Sequence, residues 1–427
     1  MRVLTVVKDL DLGGIQRGAL DYARGFAERG YPSAVLSVRG GGPREATVDR
    51  SEVALFLGAP GDDRAAHAAA EWRPDLVHVH SWGPLDDEGT AVEAVLRRCS
   101  GRPVVLETVS FGKVDYGRRF RFTDAYLLLS RWALWRWQRW TRPFSPRPLG
   151  VVVPITVDPA TFYPDPGTFR ADHGVPPDAV LLGSVGRPDP VKWHGLLTQT
   201  AVEVADRRPN VHLAWVGPTD EARARLAAAP ADVARRTTVL PALADDGALR
   251  ATYSALDVFV HASPIGETFG LAFVEALACG TPVATVATPH KNNSQLEVVG
   301  PGRGGLVAAD PQTYLANVLR LTDDAALRSQ LGLQGREHTL RSFTLDQVIP
   351  TVVDIAETLR AAPSRAAGVA ALRARPDLTT DVSDADVDAM LAAVDGRVPR
   401  HRQLARRLVH VPAVHRAMVA WHRRRWA

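Results

Sequence analysis

Residues 266–282 read Gly-Glu-Thr-Phe-Gly-Leu-Ala-Phe-Val-Glu-Ala-Leu-Ala-Cys-Gly-Thr-Pro, and seven residues separate Glu267 from Glu275. An apolar run, Val258-Phe259-Val260, precedes this stretch. The loop holds Gly266 and Gly270, and the pattern predicts a short helix over about 271–279, stopped by Gly280 and Pro282. A strand, a glycine-bearing loop and a helix N-terminus offer open backbone N–H groups and a positive dipole end, which suit a phosphate. Glu267 on the loop and Glu275 in the helix could then hydrogen-bond hydroxyls beside that phosphate. The chemistry is recognition of a sugar nucleotide; the structural alternative is a capped helix with two solvated glutamates.

A second constellation follows another apolar run: Ser184-Val185-Gly186-Arg187-Pro188-Asp189-Pro190-Val191-Lys192-Trp193-His194-Gly195. Arg187 and Lys192 could place two cations over one diphosphate, an arginine fork and a lysine point charge, without needing a metal. Alone, two cations at this spacing are commonplace. Trp193 and His194 are read as packing or capping residues.

Together these segments resemble the donor site of retaining GT-B glycosyltransferases, the glycogen-synthase-like group called family 4. The resemblance spans roughly residues 1–350; it is strongest at 254–310, clear at 183–195 and weaker in the N-terminal half. It implies that Glu267 meets the donor sugar's hydroxyls and Glu275 the nucleotide ribose. It implies further that the backbone amides of Thr268, Phe269 and Gly270 meet the phosphates, and that Arg187 and Lys192 neutralise the departing diphosphate. Glu267, Arg187 and Lys192 are thereby the catalytic candidates. The segments 292–299 and 304–307 resemble the part that closes this domain, with Glu297 structural. Around Pro241–Leu243 the family reads the base through backbone groups, so the base leaves no side-chain signature.

In the N-terminal half, Asp11-Leu12-Gly13-Gly14-Ile15-Gln16-Arg17-Gly18 follows the first predicted strand and opens a helix. Gly13 and Gly14 let backbone approach a ligand closely. The segment is not Gly-x-Gly-x-x-Gly, which argues against a nicotinamide dehydrogenase. It resembles the family's glycine loop, with Arg17 at a position that is often basic. Asp75–Trp82 carries His78 and His80 at strand spacing; the resemblance puts His80 near the acceptor, and a buried core histidine is the competing reading. Many relatives carry a histidine at the end of the strand that here reads Val104–Gly112, where Val109-Ser110 stands instead. Glu107 and Ser110 are the polar candidates there, and no histidine role is carried over.

These residues need elements to hold them. Short β-branched runs at Val3–Val7, Ser33–Val38, Leu76–Val79, Val104–Glu107, Tyr126–Leu129 and Val151–Val153 alternate with helical segments such as Gly18–Arg29 and Gly89–Arg98. The pattern restarts at Val180–Val185, Val211–Val216, Val239–Leu240, Val258–Val260 and Val283–Val286. Such alternation predicts parallel sheets covered on both faces, hence an α/β fold. The Pro- and Asp-rich stretch 154–178 separates the two blocks as a hinge, matching the family's hinge at Asp158 and Phe162 but lacking its Asn-Gly pair. The expected architecture is GT-B: two Rossmann-like domains facing across a cleft, with a C-terminal helix crossing back to the first. The expected division is an acceptor domain at 1–160, a donor domain at 161–345, the crossover helix at 346–362 and an extension at 363–427.

Length and composition bound the rest. A chain of 427 residues with 46% hydrophobic and 23% charged residues has a globular composition. No apolar run approaches the roughly 20 residues that span a bilayer. The first apolar run ends at Lys8 and Asp9, too short for a signal-peptide core, so a cytoplasmic location is expected. Cys99 and Cys279 show no ligand spacing, and neither a disulfide nor a metal site is expected. Residues 396–427 hold nine arginines and no acid, so removing them takes the net charge from +4 to −5; the basicity belongs to the tail. With Leu404, Leu408, Val411, Met418, Trp421 and Trp426 interspersed, that tail could meet an anionic membrane as a peripheral contact, or fold back on the body. Nucleic acid has no recognition module here. Residues 131–140, dense in Trp and Arg, read as an amphipathic helix packed on a sheet, with sugar stacking or a membrane interface as the alternative.

The reading is an enzyme: a retaining, metal-independent glycosyltransferase without cofactor. Its donor is a nucleoside diphosphate sugar, and its acceptor is a saccharide, a lipid-linked molecule or a small molecule. Retention would proceed by front-face attack, with the leaving phosphate taking the acceptor's proton. The alternatives are a GT-B phosphorylase or hydrolase and a non-enzymatic, membrane-associated binding protein. Acceptor choice is expected in first-domain loops such as 40–50 and 111–122.

Overall fold

A computed structural model describes residues 1–81, 88–114 and 122–417. The chain forms two compact units. The first comprises 1–156, 345–384 and the residues from 408 on; the second comprises 157–344 and 385–407. The extension past the crossover helix is thus shared between the units rather than standing apart.

In the first unit, seven strands run parallel: β1 (Val3–Val7), β2 (Ser33–Ser37), β3 (Val53–Leu57), β4 (Leu76–Ser81), β5 (Val104–Val109), β6 (Ala125–Leu128) and β7 (Gly150–Val152). Their order is β3-β2-β1-β4-β5-β6-β7. Helices cover both faces, so the central strands are buried along their length, polar residues such as His78 and Glu107 included. One face packs on Tyr22 and Phe26 of the helix Gly14–Glu28 together with Leu345, Ile349, Val352 and Ala356 of the helix Leu345–Ala361. That second helix is the expected C-terminal return, tied by an Arg29–Asp346 ion pair. The two helices approach closely because residue 25 is glycine: a Cβ there would sit 3.0 Å from Ile349 Cγ1. The other face packs on alanines and valines of the helices Arg64–Glu71 and Glu88–Arg98.

The Trp/Arg helix, Arg131–Trp140, is a packing element. Ser130 caps it, accepting from the Ala133 N–H at 3.0 Å, and all four of its tryptophans are buried. Trp135 Nε1 donates to Asp384 at 2.7 Å, and the His415 ring stacks on Trp140 at 3.7 Å. As far as residue 417, this part of the C-terminal tail folds back onto the first unit; Met418, Trp421 and Trp426 lie outside the described residues.

In the second unit, β8 (Val180–Val185), β9 (Val211–Val216), β10 (Thr237–Leu240), β11 (Val258–Val260), β12 (Val283–Val286) and β13 (Gly305–Ala308) form a parallel sheet ordered β10-β9-β8-β11-β12-β13. Its core includes Leu182, Trp193, Leu213, Trp215, Val260 and Tyr314. Two strands went unpredicted: β3 at the edge of the first sheet, and β13, whose residues were read only as a closing segment. Among the described residues, no helix is long and apolar enough to cross a membrane.

Candidate active site

In each sheet the strand order reverses once, between β1 and β4 and between β8 and β11. Loops leaving the carboxyl ends of strands at such a reversal flank a crevice where ligands bind in doubly wound folds. In the second unit β8 and β11 are paired neighbours, with Leu182 opposite Val258. Their loops carry Arg187–Lys192 and Gly266–Gly270, so topology alone brings the two sequence constellations together.

The β8 loop is a tight turn. The Lys192 and Trp193 N–H groups donate to the Asp189 carbonyl at 2.9 and 3.2 Å, and Trp193 Nε1 donates to the Arg187 carbonyl at 2.9 Å. His194 caps the helix Gly195–Arg207, its Nδ1 accepting from the Leu196 N–H at 3.2 Å. Trp193 and His194 therefore pack and cap, as expected. The Arg187 side chain is exposed and forms no ion pair among the described residues.

The β11 loop is built on left-handed glycines, Gly266 at φ 66° and Gly270 at φ 94°. It is fastened by the segment 292–295. Glu267 N donates to Gln295 Oε1 at 3.2 Å, Ser294 N donates to the Glu267 carbonyl at 3.1 Å, and Ser294 Oγ donates to the Thr268 carbonyl at 2.7 Å. Phe269 is buried edge-on against Phe343. The N–H groups of Thr268, Phe269 and Gly270 make no hydrogen bond among the described residues. They stand open at the start of the helix Leu271–Ala278, as an anion requires.

Glu267 is buried, yet charged. Its Oε1 pairs with Lys192 Nζ and lies 2.9 Å from His261 Nε2. Burial alone would push its carboxyl up; the Lys192 ammonium and the His261 hydrogen bond outweigh that and hold it down to about 2. Its Oε2 makes no hydrogen bond among the described residues. Glu275, also buried, accepts from the Tyr253 hydroxyl on Oε2 at 2.9 Å.

In the first unit, Gly13 starts the helix Gly14–Glu28, and its carbonyl accepts from the Arg17 N–H at 3.0 Å. A Cβ on residue 13 would fall 2.0 Å from Gln16 Oε1, while Gln16 Nε2 donates to Asp9 at 2.6 Å. Gly14 is exposed and Arg17 buried. His78 and His80 lie side by side, ring centroids 4.3 Å apart, both edge-on to Tyr22. Burial holds His78 down to about 3 and His80 well below the usual range, so both are neutral. Glu107 belongs to the opposite face of the sheet, where Ser81 Oγ donates to Oε1 at 2.8 Å and Thr123 Oγ1 to Oε2 at 3.3 Å. The structure thus does not bring His80 and Glu107 together. Ser110 is buried, and its hydroxyl has no hydrogen-bond partner among the described residues. Trp82 and most of the 111–122 loop lie outside those residues.

Residues 177–324 match the family model described as glycosyl transferases group 1. That stretch lies wholly within the second unit. The matched stretch contains every donor-side residue singled out above. Among curated relatives, the chain is 34% identical over 200 residues to a D-inositol 3-phosphate glycosyltransferase of Kineococcus radiotolerans, covering 43% of this chain and 46% of that protein. It is 31% identical over 230 residues to the protein of the same name in Stackebrandtia nassauensis, covering 50% and 51%. The chain thus spans about half the length of the curated relatives it matches. Among solved structures it is similar to Anabaena Alr3699/HepE in complex with UDP and glucose, with TM-score 0.67, 15% identity, 84% of this chain and 100% of that one. Sucrose-phosphate synthase from Thermosynechococcus elongatus gives 0.64 at 19% identity, again covering 84% and 100%. These likenesses show the fold: both units are Rossmann-like and the architecture is GT-B.

Sequence reading passed over His261 and Tyr253, which hold the two glutamates; Gln295, which holds their loop, lies in the segment 292–299 read as closing the domain. One signal for His261 was in view: it is the polar residue that ends the buried run Val258–Val260, at the strand end facing the crevice.

Proposed function

We propose that the protein is a retaining, metal-independent glycosyltransferase that moves a sugar from a nucleoside diphosphate to an acceptor hydroxyl. One observation carries this reading: an ionised, buried Glu267 pairs with Lys192 on the loop whose Thr268, Phe269 and Gly270 N–H groups are unbonded among the described residues, within the stretch that matches the group 1 model. The names of the curated relatives support sugar transfer, and the UDP and glucose of the Anabaena structure support a nucleotide-sugar donor.

In this reading the 268–270 amides and Arg187 hold the diphosphate, and Lys192 reaches from Glu267 toward the same oxygens. Glu267 Oε2 accepts from a donor-sugar hydroxyl, and Glu275, steadied by Tyr253, accepts from the ribose. Cations and amides stabilise the charge that grows on the leaving phosphate as the glycosidic bond breaks. The acceptor attacks from the face that the phosphate leaves, and the phosphate takes the acceptor's proton. Gly13 and Gly14 supply close backbone in the first unit; Arg17, His80 and Ser110 are its acceptor-side candidates. Glu107, bonded on both oxygens, holds local structure instead.

A peripheral lipid contact of residues 396–427 belongs to the same proposal. It is supported by exposed Leu408, Val411 and Val414 beside exposed Arg416. Co-sedimentation with anionic and neutral vesicles tests it, and equal recovery with both would remove it.

The test of function is incubation of UDP-, GDP- and ADP-sugars in chelator, with and without D-inositol 3-phosphate and simple glycosides, followed by NMR. An acceptor product that keeps the donor's anomeric configuration supports the proposal. Free sugar alone indicates a hydrolase, sugar phosphate a phosphorylase, and inverted product contradicts retention.

A further inference from the structure

We infer that His261 is a positioning residue for Glu267, holding its Oε1 so that Oε2 is presented to a hydroxyl of the donor sugar. This inference rests on the proposed transfer reaction and adds to it a residue that neither the family signature nor the spacing of the two glutamates indicates.

The ring is fixed from three sides. Its Nε2 lies 2.9 Å from Glu267 Oε1, its Nδ1 lies 3.3 Å from Thr285 Oγ1, and its face meets Phe273 at 90° with centroids 4.8 Å apart. A carboxylate only accepts, so Nε2 must carry a hydrogen. Thr285 on the neighbouring β12 meets Nδ1, and this contact fixes the ring so that Nε2 stays beside Glu267. His261 is itself buried, directly after β11, and its N–H donates to the Ala284 carbonyl of β12 at 2.9 Å, so the anchor belongs to the sheet.

Why a second anchor is needed follows from Lys192. Its side chain is one-third exposed, on a long flexible stem, and the incoming diphosphate competes for its ammonium. Once that ammonium turns to phosphate, Glu267 keeps a partner only if another donor stays on Oε1. His261 is that donor. It stays put because Thr285 and Phe273 hold it, and the carboxylate then meets the sugar in one orientation.

Isothermal titration of the full-length protein with UDP against UDP-glucose, and with GDP against GDP-mannose, separates this role from simple core filling. The wild-type protein is expected to bind a sugar nucleotide more tightly than the matching nucleoside diphosphate. In His261→Phe that preference should fall about tenfold while nucleoside diphosphate affinity changes less than about twofold, the loss of one hydrogen bond to a charged group. His261→Gln, whose amide can donate to Glu267 and accept from Thr285, should restore most of the preference. Thr285→Val, which frees Nδ1 without touching Glu267, should shift the preference in the same direction but less. An equal loss for both ligands in the Phe variant, or no rescue by Gln, would overturn the inference. A wild-type protein that binds nucleoside diphosphates but gains nothing from the sugar would overturn it too. A protein that binds none of the four ligands would instead remove the reading on which it rests.

Discussion

The Tyr253 hydroxyl donates to Glu275 Oε2 at 2.9 Å from within the core, where Tyr253 packs against Phe162 and Phe259. The second glutamate of the pair is thus held from behind by a residue of another helix, Asp246–Ala255. Tyr253→Phe keeps the ring and removes the donor. Losing this hydrogen bond to a charged group should cost about 1.5–3 kcal/mol in urea unfolding. The same variant should weaken nucleoside diphosphate binding severalfold, through a less well oriented Glu275. Unchanged binding despite a measured stability loss would assign Tyr253 to packing alone.

Glu267 gives the second unit a specific acid sensitivity. Its carboxyl is held at about 2 in the fold against an ordinary 4.5, so its pairing stabilises the fold fully above pH 4.5. That contribution, on the order of 3 kcal/mol, drains away as pH falls from about 4.5 toward 2. Glu267→Gln has no charge to lose. Urea unfolding of both proteins from pH 7 to pH 3 should show the wild-type advantage shrinking below pH 4.5; a constant difference would mean that the Lys192–Glu267 pair is not formed in solution.

Much of this was legible in the sequence, for identifiable reasons. β1, β4, β8 and β11 are buried almost throughout because both faces of each sheet are covered, so β-branched and apolar residues dominate them and the runs are easy to see. β3, Val-Ala-Leu-Phe-Leu, carries the same continuous apolar signal and was missed despite it; at the sheet edge that run is largely half-buried. Glu267, Glu275, Arg187 and Lys192 were legible because one strand–loop–helix unit fixes each pair's spacing. Their partners were not. Tyr253 and His261 reach the glutamates through tertiary packing, which leaves no periodicity in the chain. His80 and Glu107 illustrate the converse: both are polar residues near strand ends, but strand alternation sends them to opposite faces.

Gly270 is required by its backbone. At φ 94° an added Cβ would also lie 2.5 Å from Phe273 Cδ2, beneath the ring that steadies His261. Gly270→Ala should therefore cost about 1–3 kcal/mol of stability through the left-handed conformation alone. It should also weaken nucleoside diphosphate binding, because the N–H groups of 268–270 would no longer hold their directions. Gly302→Ala, left-handed at φ 72° but with open space around its Cβ, is the control. It should lose stability without losing affinity, and equal affinity losses in the two variants would refute a role for the 270 turn in phosphate binding.

The stacked pair Trp140–His415, with rings 3.7 Å apart and 8° from parallel, fastens the C-terminal tail to the first unit. Burial, aided by the nearby Arg136 and Lys113 charges, holds the His415 imidazole down to about 3, so it is neutral in the fold. In the unfolded chain it takes a proton near 6.5, so stability must fall as pH drops below that value, by about 1.4 kcal/mol per pH unit for one such group. His415→Phe keeps an aromatic ring on Trp140 and cannot titrate. Between pH 7 and pH 5 the wild-type protein should therefore lose up to about 2 kcal/mol more than this variant in urea unfolding followed by tryptophan fluorescence. If both lose the same amount, the tail is detached from Trp140 in solution. Vesicle binding by residues 396–427 would then be free of any competition from the first unit.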